Sequence, residues 1–99
     1  MADDLQDITQ SLTPYFALQE GGYTYDALVK RIAEEVQYLI DYDLNKLWNL
    51  LYRIDVSEKK VKEVIETTPF NQHSLLIAQL ILKRQQEKVI SRKNYKTNT

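Results

Sequence analysis

The chain has 99 residues, enough for one domain with its own core, and its 43% hydrophobic and 27% charged content is ordinary for a globular protein. Zero cysteines exclude a disulfide scaffold and any thiolate metal site, and only two glycines and two prolines argue for long helices over a turn-rich β fold. The net charge of −1 is unevenly placed: residues 1–20 hold Asp3, Asp4, Asp7 and Glu20 with no base, whereas 83–99 hold six bases against Glu87 alone. Such a polarised chain can attract its own other end, a second copy or an acidic partner.

Asp4 to Leu12 places Leu5, Ile8 and Leu12 at helical spacing and predicts a short amphipathic helix. Thr13-Pro14 then reads as a cap and first helical residue for a further turn or two through Leu18, stopped by Gly21-Gly22. Four longer helices follow, and each start repeats one spacing. An aromatic or aliphatic residue precedes a capping residue, with an apolar residue four positions after the cap: Tyr23-Thr24 with Leu28, Tyr42-Asp43 with Leu47, Val56-Ser57 with Val61, and Phe70-Asn71 with Leu75. The cap satisfies an orphan N–H and the hydrophobic staple sets the entry angle of the chain.

The first long helix, about 25–41, carries an apolar stripe of Tyr25, Leu28, Val29, Ile32, Val36, Leu39 and Ile40. The second, about 44–54, is expected to bury Leu44, Leu47, Trp48, Leu51 and Ile54, with Leu50 and Tyr52 widening the stripe. The third, 58–67, has Val61, Val64 and Ile65 inward and ends before Pro69, which pushes its predecessor out of the α region. The fourth, about 72–92, opens on Leu75–Leu82, whose side chains point in every direction, and then turns to Lys, Arg and Gln. Residues 94–99 should fray. At about 1.5 Å per residue the fourth helix spans roughly 33 Å and the second and third roughly 15–17 Å each, so that pair could together cover it. The expected fold is a single all-α domain: a compact antiparallel bundle of four main helices plus the short N-terminal segment.

The eight-residue apolar run Leu75–Leu82 falls far short of the ~20 needed to cross a bilayer, and the acidic start lacks the basic region of a secretory signal. The cytoplasm is the default location, with no membrane partner. Asp41-Tyr42-Asp43-Leu44-Asn45 opens like a calcium loop, but Lys46 stands where that loop needs Gly and Tyr52 where it needs Glu. Capping of the following helix explains those carboxylates. His73, the one histidine, has Asn71, Gln72 and Ser74 as its near neighbours and reads as a neutral exposed imidazole in a first turn. No metal, cofactor, catalytic residue or small-molecule ligand is predicted. Arg53, Asp55 and Glu58 bracket the turn between the second and third helices, and an arginine–carboxylate pair is expected to lock that corner.

Seven tyrosines against two phenylalanines is a bias that favours contact surfaces. A DNA-reading helix-turn-helix is disfavoured, since the 58–67 helix balances Lys59, Lys60 and Lys62 against Glu58, Glu63 and Glu66.

Leu50-Leu51-Tyr52-Arg53-Ile54-Asp55-Val56-Ser57-Glu58, followed by the apolar helix with Leu80-Ile81-Leu82-Lys83-Arg84-Gln85, resembles a group of small uncharacterised bacterial proteins. In those an L-Y-R-[IL]-D-V-x-E segment precedes an apolar helix with a basic-Gln end, and the likeness covers roughly residues 40–90. It implies a compact helical domain that exists alone and brings no activity, cofactor or site. The function expected from the residues is protein–protein association as a homodimer, not catalysis. Leu76, Leu80, Tyr38, Tyr52, Lys83, Arg84 and Lys88 are the candidate interface residues. The alternative is nucleic-acid binding through the basic stretch Lys83–Lys96.

Overall fold

The computed structural model describes residues 2–19 and 22–97, with side chains described for 4–19 and 22–94. Those residues form five α-helices and one 3-10 turn, with no strand among them. The helices are α1 (Ala2–Leu12), α2 (Tyr25–Tyr42), α3 (Leu44–Ile54), α4 (Glu58–Thr67) and α5 (His73–Thr97), and the 3-10 turn Phe70–Gln72 leads into α5. The starts and ends of α3 and α4 fall where capping and the proline place them. α5 runs on to Thr97, five residues past the expected end near Arg92; residues 98 and 99 lie outside the described residues.

Every other element packs on α5, and α2 also packs on α3. At about 1.5 Å per residue the 25-residue α5 spans roughly 37 Å, and it dominates a body of 43 × 28 × 21 Å. Asp55 meets Arg84 near the middle of α5, and Thr68 meets His73 at its start, so α4 runs back along the first half of α5. The core gathers Ile8, Leu12 and Phe16 from the N-terminal region with one face each of α2, α3 and α4, closed by Ile77, Ala78, Ile81, Leu82 and Val89 of α5.

Three of the four matched starts cap as their residues dictate. Thr24 accepts from the Ala27 N–H, Asp43 from Lys46 and Ser57 from Lys60, each relieving a first-turn donor. The fourth departs: the chain enters α5 through the 3-10 turn, Pro69 holds the cap position, and no side chain caps it. Pro69 fixes φ at −65° and Gln72 already donates to its carbonyl, so the turn closes before Asn71 can act. The staples divide likewise. Val56 and Val61 are buried and Tyr23 packs half-buried against the core, while Tyr42 and Phe70 are exposed. The Tyr42 ring instead leans on that of Tyr38 with a 42° tilt, and Phe70 sets its ring edge-on to His73.

The segment after α1 is a second correction. Thr13-Pro14 opens no helix: residues 13–16 are a turn in which Tyr15 and Phe16 both donate to the Leu12 carbonyl. Phe16 dives into the core, and the extended chain behind it is tied down by side chains. The Glu35 carboxylate accepts from the Ala17 N–H at 3.2 Å, Arg31 Nε donates to the Ala17 carbonyl at 3.1 Å, and Tyr23 Oη accepts from Gln19. These bonds satisfy backbone groups that a helix would have paired internally. Gly22 is in the extended link, and Gly21 lies outside the described residues.

Three positions expected inside are out: Tyr25, Leu44 and Ile65 are exposed, whereas Trp48 and Leu50 pack half-buried against the core. Leu75–Leu82 is not covered all round either: Leu75 is exposed and Leu76 and Leu80 are half-buried.

Candidate functional site

The interface candidates do not gather into one patch. Leu80, Lys83 and Arg84 lie beside Asp55, Ser57 and Lys60 in a shallow recess of about 300 Å³ between α4 and α5. Leu80 packs against the core there. Tyr38 stands elsewhere, on the α2–α3 face, and Tyr52 is on α3 at 86% exposure, outside the lining of either depression.

The corner after α3 is built differently from its sequence reading. Asp55 takes φ 71° and ψ 39°, the left-handed conformation that most often falls to glycine at a helix end. Its N–H reaches the Tyr52 carbonyl and that of Val56 reaches Leu51, the paired bonds of a Schellman motif, with Leu51 and Val56 buried together. The left-handed turn aims Asp55 at α5. Arg84 answers with two bonds: one guanidinium nitrogen on the Asp55 carboxylate at 2.7 Å, and Nε on the Asp55 carbonyl at 3.0 Å. One turn on, Lys88 Nζ donates to the Ile54 carbonyl at 2.6 Å. Two cations on α5 therefore hold the negative end of α3, where orphan carbonyls and the helix dipole both favour positive charge.

The arginine on Asp55 is thus Arg84 and not Arg53, and Glu58 pairs with Lys62 within α4 at 3.4 Å. Arg53 points into the α2–α3 groove. Hydrogen bonding from Arg84 holds the Asp55 carboxyl below its ordinary 3.8 and raises the guanidinium in return. No motif nominates Arg84 for this role, since it lies 29 residues from its partner.

Further along α5 the charged ends of the chain meet. Lys93 bonds Asp4 and lies 3.6 Å from Asp7, and the Asp4 hydrogen bond lifts the Lys93 ammonium above its ordinary 10.5. Arg84, Lys88 and Lys93, three cations of the basic stretch, are all engaged within the chain. The Lys96 side chain lies outside the described residues. His73 is buried rather than exposed, with its Nε2–H on the Thr68 carbonyl at 3.0 Å, so it joins α4 to α5. Asp43 caps α3, and Asp41 accepts from the Gln37 amide at 3.0 Å. Among the described residues no three of His, Asp or Glu gather as a metal-holding group.

A depression of about 780 Å³, open to solvent, lies between α2, α3 and the 13–16 turn. Phe16, Leu39 and Leu50 give it an apolar base, Tyr15 and Tyr38 flank it, and Lys46 and Arg53 line its α3 side. Tyr38 is 62% exposed and Tyr42 75%, their ring centroids 4.9 Å apart. The sequence flags Tyr38 as lying off the α2 stripe. It also has Leu50 widening the α3 stripe, but it does not assign Tyr15, Tyr42 or Lys46 to a contact surface, although Glu34, Tyr38 and Tyr42 recur every four residues on the polar side of α2. No family model, no curated protein and no solved structure matches the chain.

Proposed function

We propose that this protein works by associating with protein, as a homodimer, and that it is a binding component rather than a catalyst. The observation that carries the reading is the run of tyrosines left in water on adjacent helices, Tyr38 and Tyr42 on α2 and Tyr52 on α3. Tyrosine buries large apolar area for the cost of only two χ angles, and its hydroxyl stays compatible with solvent when no partner is present. A small core has no use for three such rings outside it.

The helices support this role as a scaffold. We read the packing as antiparallel, with α2 and the α3–α4 pair flanking α5 and α1 laid along its basic half. Arg84, Lys88 and Lys93 act as internal clasps in this reading, which leaves α2 and α3 as the presenting surface. A cytoplasmic location goes with it, since a chain without cysteine has no call on an oxidising compartment.

Static light scattering on the full chain tests the proposal. The apparent mass should climb from 11.7 kDa towards twice that value across the micromolar range. A mass that stays at the single-chain value into high micromolar concentration ends the homodimer reading.

A further inference from the structure

We infer that the α2–α3 groove is the contact face of a two-fold dimer, with Tyr38 near the axis and α2 of each copy lying over α3 of the other. This rests on the association reading above and names its surface.

The occupant follows from charge. On α2, Glu34, Asp41, Tyr38 and Tyr42 fall within one face, since positions 34, 38, 41 and 42 stay within about 100° of one another at 100° per residue. On α3, Lys46 and Arg53 stand seven residues apart on the ridge that lines the groove. The two helices are joined by Asp43 alone, so the acidic stripe and the basic ridge lie side by side on one surface.

Within one copy these charges are poorly answered. The Glu34 side chain is 74% exposed, and its ion pair is a 3.7 Å contact with Arg31, which also serves Glu35 and the Ala17 carbonyl. Among the described residues no carboxylate comes within 4.0 Å of Lys46 or Arg53.

A surface with an acidic row beside a basic row is complementary to itself under a two-fold rotation, because residue i then meets j while j meets i. The rotation sets Glu34 against the second copy's Arg53, both far from the α2–α3 joint, and Asp41 against its Lys46, both beside it. Tyr38 and Tyr42 from both copies close over Phe16, Leu39 and Leu50. Aromatic anchors at the centre with charge at the rim is the usual anatomy of such an interface. A second copy is the occupant that supplies both rows at the needed spacing.

The experiment is a charge swap across two separately made full-length chains, Glu34→Lys and Arg53→Glu. Both positions are exposed, and far-UV circular dichroism confirms that each variant folds. Alone, each variant places two like-charged pairs in its own dimer and should weaken dimerisation by about tenfold or more. Mixed in equal amounts, the two restore both pairs, so native mass spectrometry should find the heterodimer at concentrations where neither homodimer forms. Tyr38→Ala should weaken the dimer by roughly thirtyfold.

A wild-type chain that stays monomeric overturns the association reading itself and leaves the groove to another occupant. A wild-type dimer that none of the three variants disturbs keeps that reading and overturns this surface. Variants that weaken the dimer but show no heterodimer on mixing overturn the Glu34–Arg53 pairing.

Discussion

Leu75 and Leu82 stand seven residues apart on α5 and point within about 20° of one another, so helical periodicity gives them the same face. Leu82 is nonetheless fully buried and Leu75 is 41% exposed, because the neighbours of α5 cover it unevenly along its length. Replacing Leu82 by alanine removes three carbons from the core, about 2.4 kcal/mol at ~0.8 kcal/mol each. The cavity left behind raises the loss to about 3–5 kcal/mol. At Leu75 only about three-fifths of that transfer energy is at stake and solvent fills the space, giving roughly 1.5 kcal/mol. For a chain of this size, with total stability near 5–15 kcal/mol, the first change is severe and the second mild. Urea unfolding followed by far-UV circular dichroism, at a concentration where light scattering finds one species, gives both numbers. Thermal midpoints should fall by about 12–30 °C for Leu82→Ala and by less than about 10 °C for Leu75→Ala. Equal losses, or a larger one at Leu75, would refute the burial pattern of α5 and with it the identity of the core.

The caps give a comparison of the same kind: Thr24→Ala and Ser57→Ala should each lose about 0.5–2 kcal/mol. Asn71→Ala should stay within about 0.5 kcal/mol, and a loss there equal to the others would reinstate Asn71 as a cap. At the α3 corner, Asp55→Ala should lower the thermal midpoint more than Asp55→Gly, since both lose the carboxylate's bond to Arg84 but only alanine puts a Cβ into the left-handed conformation; the reverse order counts against that geometry. Because the folded Asp55 carboxyl lies below 3.8, its stabilisation is present above that value and fades as pH falls through the folded value. Arg84→Met should therefore flatten the acid limb of a urea-midpoint profile below about pH 4, and an unchanged limb rules the pair out as its source. Lys93 runs the other way. Its raised value means stabilisation complete below 10.5 and lost as pH climbs through the folded value, so Asp4→Asn should weaken the alkaline limb.

The segmentation of the chain was legible because its signals are local. A cap and its N–H partner lie three residues apart, and Thr24, Asp43 and Ser57 carry that information whatever surrounds them. Asn71 shows where the rule stops, since a proline two residues earlier offers a competing turn. The corner shows a deeper limit. Arg53 is the cation nearest to Asp55 in sequence, and local reasoning pairs them. The left-handed turn at Asp55 points its carboxylate across to α5, and sequence distance says nothing about which α5 residue waits there. The same holds for Leu75–Leu82: a run apolar on every face carries no preferred direction, so only the neighbours decide which leucine is covered.

The uneven charge of the chain has an internal use. Acidic α1 lies along basic α5 through Asp4, Asp7 and Lys93, while Arg84 and Lys88 close the end of α3. Each of these cations must surrender the carbonyl or carboxylate it holds to bind a phosphate, so nucleic-acid binding is opposed at each of these positions. Lys46 and Arg53 carry no such obligation, and they stand beside exposed tyrosines on a face whose neighbouring helix is acidic. Charge that already closes the fold resists an outside partner, and charge that the fold leaves unanswered invites one. The proposed contact surface is therefore set on α2 and α3, while Arg84, Lys88 and Lys93 of α5 serve the architecture.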